Sequence, residues 1–181
     1  GGDLPSGRLL SGDTFTLDFG TSYQTRSSVS DIIFPALGRS GKLAVLAFIF
    51  TIPISIFAGI YAARRKDKLA DRVIVNAGLA SSSIPEFVTA AVLLAVFAVE
   101  LGWGKAFANP PDGTSLFGQL EYLWLPAMAM AIAYFGYIAR MTRAGVITAL
   151  NADYTRTATM KGMSSSQVMR RHILRNALAP T

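Results

Sequence analysis

At 181 residues the chain has the length of one compact soluble domain, but 51% hydrophobic against 15% charged residues and a mean hydropathy of +0.40 mark a membrane protein instead. The formal charge of +6 invites a nucleic-acid reading, yet the basic residues collect at the ends of apolar runs rather than in a stripe with interleaved aromatics, which argues against that partner. With no cysteine there is neither a disulfide framework nor a thiolate metal site.

The chain opens Gly1-Gly2-Asp3, without an initiator Met or a charged-then-apolar leader, and stops at Thr181 where Ala177 to Pro180 turn apolar again; the expectation is a fragment truncated at both ends. Residues 1–42, rich in Gly, Ser, Thr and Asp, read as loop with at most short elements. Within them Gly38-Arg39-Ser40-Gly41-Lys42 brushes against a phosphate-binding loop. That motif needs four residues between its glycines and a Ser or Thr after the Lys, whereas two intervene here and Leu43 follows, so it is rejected.

Residues 43–63, Leu43 to Ala63, carry no charge, and at ~1.5 Å per residue they reach about the ~30 Å of a bilayer's hydrocarbon core. This is the clearest transmembrane helix. Pro53 near its middle removes one backbone donor and predicts a kink. Residues 64–72 form a polar loop. Residues 73–101 are apolar but broken by Ser81-Ser82-Ser83-Ile84-Pro85-Glu86, which predicts a short segment and then a span from about Ile84 to Leu101, with Ser83 and Glu86 as a capping box. After the loop at 102–121, a third span over 122–143 runs through Trp124, Pro126, Ala127, Ala129, Ala131, Ala133 and Gly136, small residues that let helices approach closely in lipid.

Three spans must place their flanks on alternating sides. Arg64, Arg65, Lys66, Lys68 and Arg72 outweigh Asp67 and Asp71 after the first span, which puts 64–72 in the cytoplasm. The 102–121 loop holds Lys105 against Asp112 and Glu121 and is expected outside. Arg140, Arg143, Arg156, Lys161, Arg170, Arg171 and Arg175 face Asp153 alone, so the region after the third span is cytoplasmic again. The alternation is consistent, and it places 1–42 outside.

Little in the chain suggests catalysis. His, Cys and carboxylates show no metal-ligand spacing, the one histidine, His172, lies in a basic run as a solvated helix residue, and no nucleophile and base pair up. Neither a catalytic residue, a metal nor a cofactor is expected. Glu86 and Glu100 are the carboxylates nearest membrane depth. Both read as interfacial, Glu86 as a helix start and Glu100 beside Gly102 and Trp103.

The remaining segment, 144–181, has the pattern of two helices around a turn. Val146, Leu150, Tyr154 and Ala158 recur every four positions as one apolar stripe, with Asn151 or Asp153 able to cap a fresh helix. Gly162 permits the reversal. Ser164 and Gln167 form an S-x-x-Q capping box that opens a second helix, with Met169, Ile173 and Ala177 on one seam, Leu174 and Leu178 on an adjacent one, and Arg171 and Arg175 opposite. On composition alone a basic amphipathic helix lying on anionic lipid would also fit.

The order of residues in this segment is more specific than its composition. Asp153-Tyr154, Arg156-Thr157-Ala158, Lys161-Gly162, Arg171-His172, Leu174-Arg175-Asn176-Ala177 and Pro180 closely resemble the cytoplasmic coupling loop of the oligopeptide/dipeptide (peptide/nickel) permease family of ABC importers. Ser83-Ile84-Pro85 with Phe87 also resembles that family, as do Asp18-Phe19-Gly20-Thr21-Ser22-Tyr23 and Val29-Ser30-Asp31-Ile32, which match its segment between first and second spans. The chain departs from the pattern at Ser28, Glu86, Thr155, Thr159 and Met160. Of the more widely shared Glu-Ala-Ala triplet it keeps only Ala158.

The resemblance implies an all-α, polytopic membrane protein of which three helices of a six-helix permease are visible, with a cytoplasmic helix-turn-helix coupling loop. It implies no ATPase site in this chain. The partners it implies are two ATP-binding subunits, a homologous second permease subunit, an external solute-binding protein and the lipid bilayer, in the cytoplasmic (inner) membrane of a prokaryote. The ATPase-docking residues carried over are Tyr154, Arg156, Thr157, Ala158, Lys161, Gly162, Met163 and Ser164. The family moves di- and oligopeptides, nickel chelates and other small solutes, with selectivity resting on the external binding protein. The alternative from another class is a membrane scaffold or assembly protein without transport activity.

Overall fold

The computed structural model describes residues 19–111 and 113–177. Two compact units, Gly1–Lys42 and Leu43–Thr181, divide the chain. In the first, an isolated antiparallel bridge joins Thr21 to Ser28, Ser22 N–H donates to Ser27 O at 2.9 Å, and Arg26 closes the turn with φ of 53°.

Helix α1, Val29–Arg64, is 36 residues long, so at ~1.5 Å per residue it extends well past a bilayer's ~30 Å core. It begins at Val29 rather than at the apolar run's start at Leu43, so residues 29–42 are helical where a loop was expected, in spite of Pro35, Gly38 and Gly41. It also continues through Pro53 as one helix. Its buried residues are Ala47, Thr51, Ser55, Gly59, Ala62 and Ala63, a stripe of small side chains at helical spacing, while Phe48, Ile49, Ile52, Ile54 and Phe57 are exposed. Lipid is as apolar as Phe, so close approach, rather than hydrophobicity, sorts the inner face from the outer.

A turn with Asp67 at φ of 65° leads into α2, Leu69–Ser83. The chain then bends by 99° into α3, Glu86–Leu93, which continues as a π-helical stretch over Leu94–Glu100. The expected capping box at this break does not form. Ser83 is still the last residue of α2, so its hydroxyl donates back to Leu79 O at 2.8 Å, and Pro85 takes the N-cap with no side-chain bond. Glu86 and Glu100 are both exposed.

Helix α4, Leu116–Leu150, starts on Ser115, whose hydroxyl accepts from Gly118 N–H at 3.2 Å, and absorbs Pro126. The preceding loop is tied to its first turns. Trp124 Nε1 donates to Trp103 O at 3.1 Å, Lys105 N–H donates to Glu121 O at 3.1 Å, and Phe97 packs edge-on to Trp124 with centroids 5.6 Å apart. Of the run of small residues, Ala127, Ala129, Ala131 and Gly136 are buried and Ala133 is half-buried; Ala139, one turn on, is buried as well.

Both earlier helices reach α4 where side chains are missing. A Cβ on Gly78 of α2 would stand 2.9 Å from Gly136 Cα, and one on Gly136 would run into the Gly78 carbonyl. A Cβ on Gly59 of α1 would meet Ala139 O at 2.6 Å and Thr142. Asp71, in the first turn of α2, also pairs with Arg143 of α4. Of the described helices, α1 and α4 are long and apolar enough to cross a membrane, and α2 with α3 and its π-helical continuation makes a third if the bent pair is one span.

Candidate coupling surface

Beyond α4 the chain forms a compact knob. Asn151 closes α4, its N–H donating to Ile147 O at 3.3 Å and Thr148 O at 3.2 Å, and extended Ala152 serves as N-cap to α5, Asp153–Met160. Neither Asn151 nor Asp153 therefore caps α5 by side chain, as the sequence suggested. Asp153 sits in the first turn, where its charge favours the helix N-terminus. The break also interrupts the four-residue stripe. Val146 and Ala158 are buried, but Leu150 and Tyr154 are 37% and 39% exposed, because the extended residue rotates α5 relative to α4. Thr155 takes the inward position, its hydroxyl donating to Ala149 O at 2.7 Å, a carbonyl at the end of α4 that Ala152 N–H reaches only at 3.4 Å.

The turn after α5 is a Schellman closure. Met163 N–H donates to Ala158 O at 3.3 Å and Gly162 N–H to Thr159 O at 3.0 Å. This pattern requires a left-handed residue between them, and Gly162 has φ of +80°. The next helix opens on the expected capping box. Gln167 N–H donates to Ser164 Oγ at 3.4 Å, and Ser164 N–H donates to Gln167 Oε1 at 3.0 Å. One rod follows, consisting of α6, Ser165–Val168, a π-helical stretch, Met169–Ile173, and α7, Leu174–Ala177.

One apolar core holds the knob to the helix ends. Ala63 from α1 and Val146 and Ala149 from α4 pack with Ala158, Val168, Met169, Ile173 and Ala177. Met169, Ile173 and Ala177 are buried as one seam, with Leu174 beside it and Arg171 and Arg175 exposed; Leu178 and Pro180 lie outside the described residues. Gly145 lets the rod come close, since a Cβ there would stand 2.7 Å from Ala177 O.

Of the eight residues singled out for docking, Tyr154, Arg156, Thr157, Lys161, Gly162 and Ser164 are exposed and Met163 is half-buried. Ala158 is 5% exposed and belongs to the internal core. The exposed residues cluster on α5, the Gly162 turn and the cap of α6. Two polar ties escaped the sequence reading. Thr155 had no signal beyond lying three residues before Ala158 on the same helical face. Asp71 and Arg143 are 72 residues apart, and each sits in a stretch that reads simply as flanking charge.

A bundle whose long apolar helices cross on glycines, carrying a polar-surfaced knob at one end of two of them, defines a multi-pass helical membrane component. The family described as "Binding-protein-dependent transport system inner membrane component" matches residues 55–181, and the chain belongs to that family, a multi-pass inner-membrane protein. Among similar proteins, one from Brucella abortus (strain 2308), assigned to peptide transport as a permease, is 38% identical over 164 residues, 91% of this chain and 52% of its own length. The oligopeptide transport system permease protein OppB of Haemophilus influenzae is 36% identical over 90% of this chain and 52% of its own. OppB of Escherichia coli (strain K12) is 33% identical over the same shares. The chain thus spans about half the length of the relatives it matches.

Proposed function

We propose that this chain is the core of a permease subunit in a binding-protein-dependent ABC importer, which moves peptides or similar small solutes inward and draws its energy from ATP hydrolysis on two partner subunits. A homologous second permease subunit and an external solute-binding protein complete the assembly. Residues 64–72 and the knob face the cytoplasm, where the basic residues concentrate.

The observation that carries this reading is the knob itself. Its inner side is packed onto the ends of α1 and α4 through Ala63, Val146, Ala149 and Ile173, while its outer side presents Tyr154, Arg156, Thr157, Lys161, Gly162, Met163 and Ser164. A protrusion anchored to two spans and exposed at its tip is suited to receive a push from a partner and to pass it to the membrane helices. Ala158 supports this surface from beneath and makes no contact with the partner. The chain itself supplies no hydrolysis.

These 181 residues contain no cysteine, so the test needs only that any thiol elsewhere in the intact permease be replaced first. Met160 is 74% exposed beside the turn and free of the caps, so Met160→Cys in the intact permease, treated with a short cross-linker in native membranes, should capture a nucleotide-binding subunit in an ATP-dependent manner. Labelled Cys with no protein captured would place the knob on lipid and favour a scaffold. Gly162→Leu tests the same surface by function. A branched side chain at φ of +80° strains the closure, so solute uptake should fall several-fold in vesicles that retain the assembled complex, and normal uptake would count against the reading.

A further inference from the structure

The contact between Asp71 and Arg143 is more than a pair of flanking charges. Asp71 is 3% exposed, and its two oxygens take a forked pair of hydrogen bonds, Oδ1 from Arg143 Nε at 2.5 Å and Oδ2 from Nη2 at 2.6 Å. Oδ2 also accepts from Asp67 N–H at 2.9 Å, so the same carboxylate holds the α1–α2 turn in place. Arg64, Arg65, Lys66, Lys68 and Arg72 are its neighbours in sequence, yet the fold brings in an arginine from α4. A guanidinium fork on a carboxylate fixes direction as well as distance, which an ammonium or an apolar contact does not.

The location gives this fixed direction a use. Arg143 lies within one helical turn of Val146 and two of Ala149, the residues through which α4 holds the knob. At its other end α2 leads to the 99° bend and α3. The apolar seam under the knob can tolerate small slips, because dispersion contacts have no preferred direction. The forked pair cannot.

We infer that Asp71 and Arg143 form a positioning pair that makes α2 follow α4 as the knob is displaced, and that it stays closed throughout the transport cycle. The inference rests on the knob being the site where the ATPase subunits act. It concerns the step after docking, in which displacement of α4 reaches the bent helix pair.

The test uses the intact importer reconstituted with its ATPase subunits, and measures solute taken up per ATP hydrolysed. Asp71→Asn and Arg143→Gln, singly, should leave ATPase capture at Met160→Cys intact while the ratio of solute to ATP falls roughly 5-fold or more, the lower end of ordinary inter-site coupling. The exchange Asp71→Arg with Arg143→Asp should recover part of the ratio, though not all of it, since an arginine at 71 cannot accept from Asp67 N–H; a role confined to that turn bond predicts no recovery. Assembled single variants with an unchanged ratio overturn the proposal, as does an assembled exchange variant that recovers nothing when Asp71→Cys with Arg143→Cys, chemically bridged, also fails to transport. If the single variants do not assemble, Asp71→Cys with Arg143→Cys, bridged by a short bifunctional thiol reagent, decides the matter. The bridged protein should transport and its unbridged form should lose coupling, whereas a bridge that blocks uptake means the pair must open. Failure of the docking reading looks different, since no ATPase subunit is then captured at residue 160 in the otherwise wild-type protein, and both proposals fall together.

Discussion

Helix α4 is held in two contrasting ways along its length. At its apolar crossings with α1 and α2, away from the Asp71–Arg143 pair, close approach depends on side chains that are absent, at Gly59, Gly78 and Gly136; at its end, beside the close approach at Gly145, Val146 and Ala149 pack side chain to side chain against Met169 and Ile173. The difference follows from the solvent. Inside lipid a large apolar side chain gains nothing by turning inward, so attraction comes from backbones approaching within van der Waals range. In water the same side chain is driven off the surface, so the knob is assembled like a small soluble core.

The crossing is therefore where a substitution should do the most damage. Gly136→Leu places a branched side chain against the Gly78 carbonyl, which already accepts the Ser81 and Ser82 hydroxyls at 3.0 and 2.9 Å and cannot be moved aside like a rotamer. Ordinary overpacking costs about 1–3 kcal/mol, and backbone against backbone should exceed this range. The thermal midpoint of the intact permease in detergent should fall sharply, with Gly136→Ala intermediate. An unchanged midpoint for the leucine variant would mean that α2 and α4 are not packed on each other.

Ile173 probes the other mode. It is 1% exposed at the centre of the knob's core, so Ile173→Ala removes three buried carbons and leaves a cavity, at a cost of about 2–5 kcal/mol. The loss should be confined to one end of the molecule. Limited proteolysis should speed up within α5 to α7 while the α2–α4 crossing stays protected, and uniform loosening of both regions would contradict the division between them.

The same contrast explains what could be read from the amino-acid order alone. The knob was legible because aqueous folding leaves local signatures: a Gly where a left-handed residue is needed at 162, Ser164 and Gln167 three apart, and an apolar seam at 169, 173 and 177. Its error, a stripe continued through Leu150 and Tyr154, came from one extended residue, Ala152, which no residue preference announced. The apolar run at Leu43 to Ala63 was equally plain as a span, but not which side of it faces inward, since Phe48 and Ile52 on one face and Ala47 and Thr51 on the other look alike to a hydropathy average. The helix's start at Val29 and the failed cap at Ser83 depend on what neighbouring turns do. The Asp71–Arg143 pair is purely tertiary, with nothing local in either residue to point to the other.

The smallest expected effect sharpens the comparison most, because it touches one motif and no core atom. Ser164→Ala removes the hydroxyl that accepts from Gln167 N–H but keeps Gly162 and the whole apolar seam. Loss of such a cap costs about 0.5–2 kcal/mol. Here the lower half of that range applies, since at 3.4 Å the bond is long and the residue is exposed to water that can replace it. Amide hydrogen exchange in the intact permease should quicken by roughly threefold to fivefold at Ser166 and Gln167, fade along the rod toward Ile173, and stay unchanged at Gly78 and Gly136. If exchange instead rises equally at Ile173, the rod opens as one piece and its cap governs the whole of it. The knob's stability would then reside in its first turn rather than in the seam beneath.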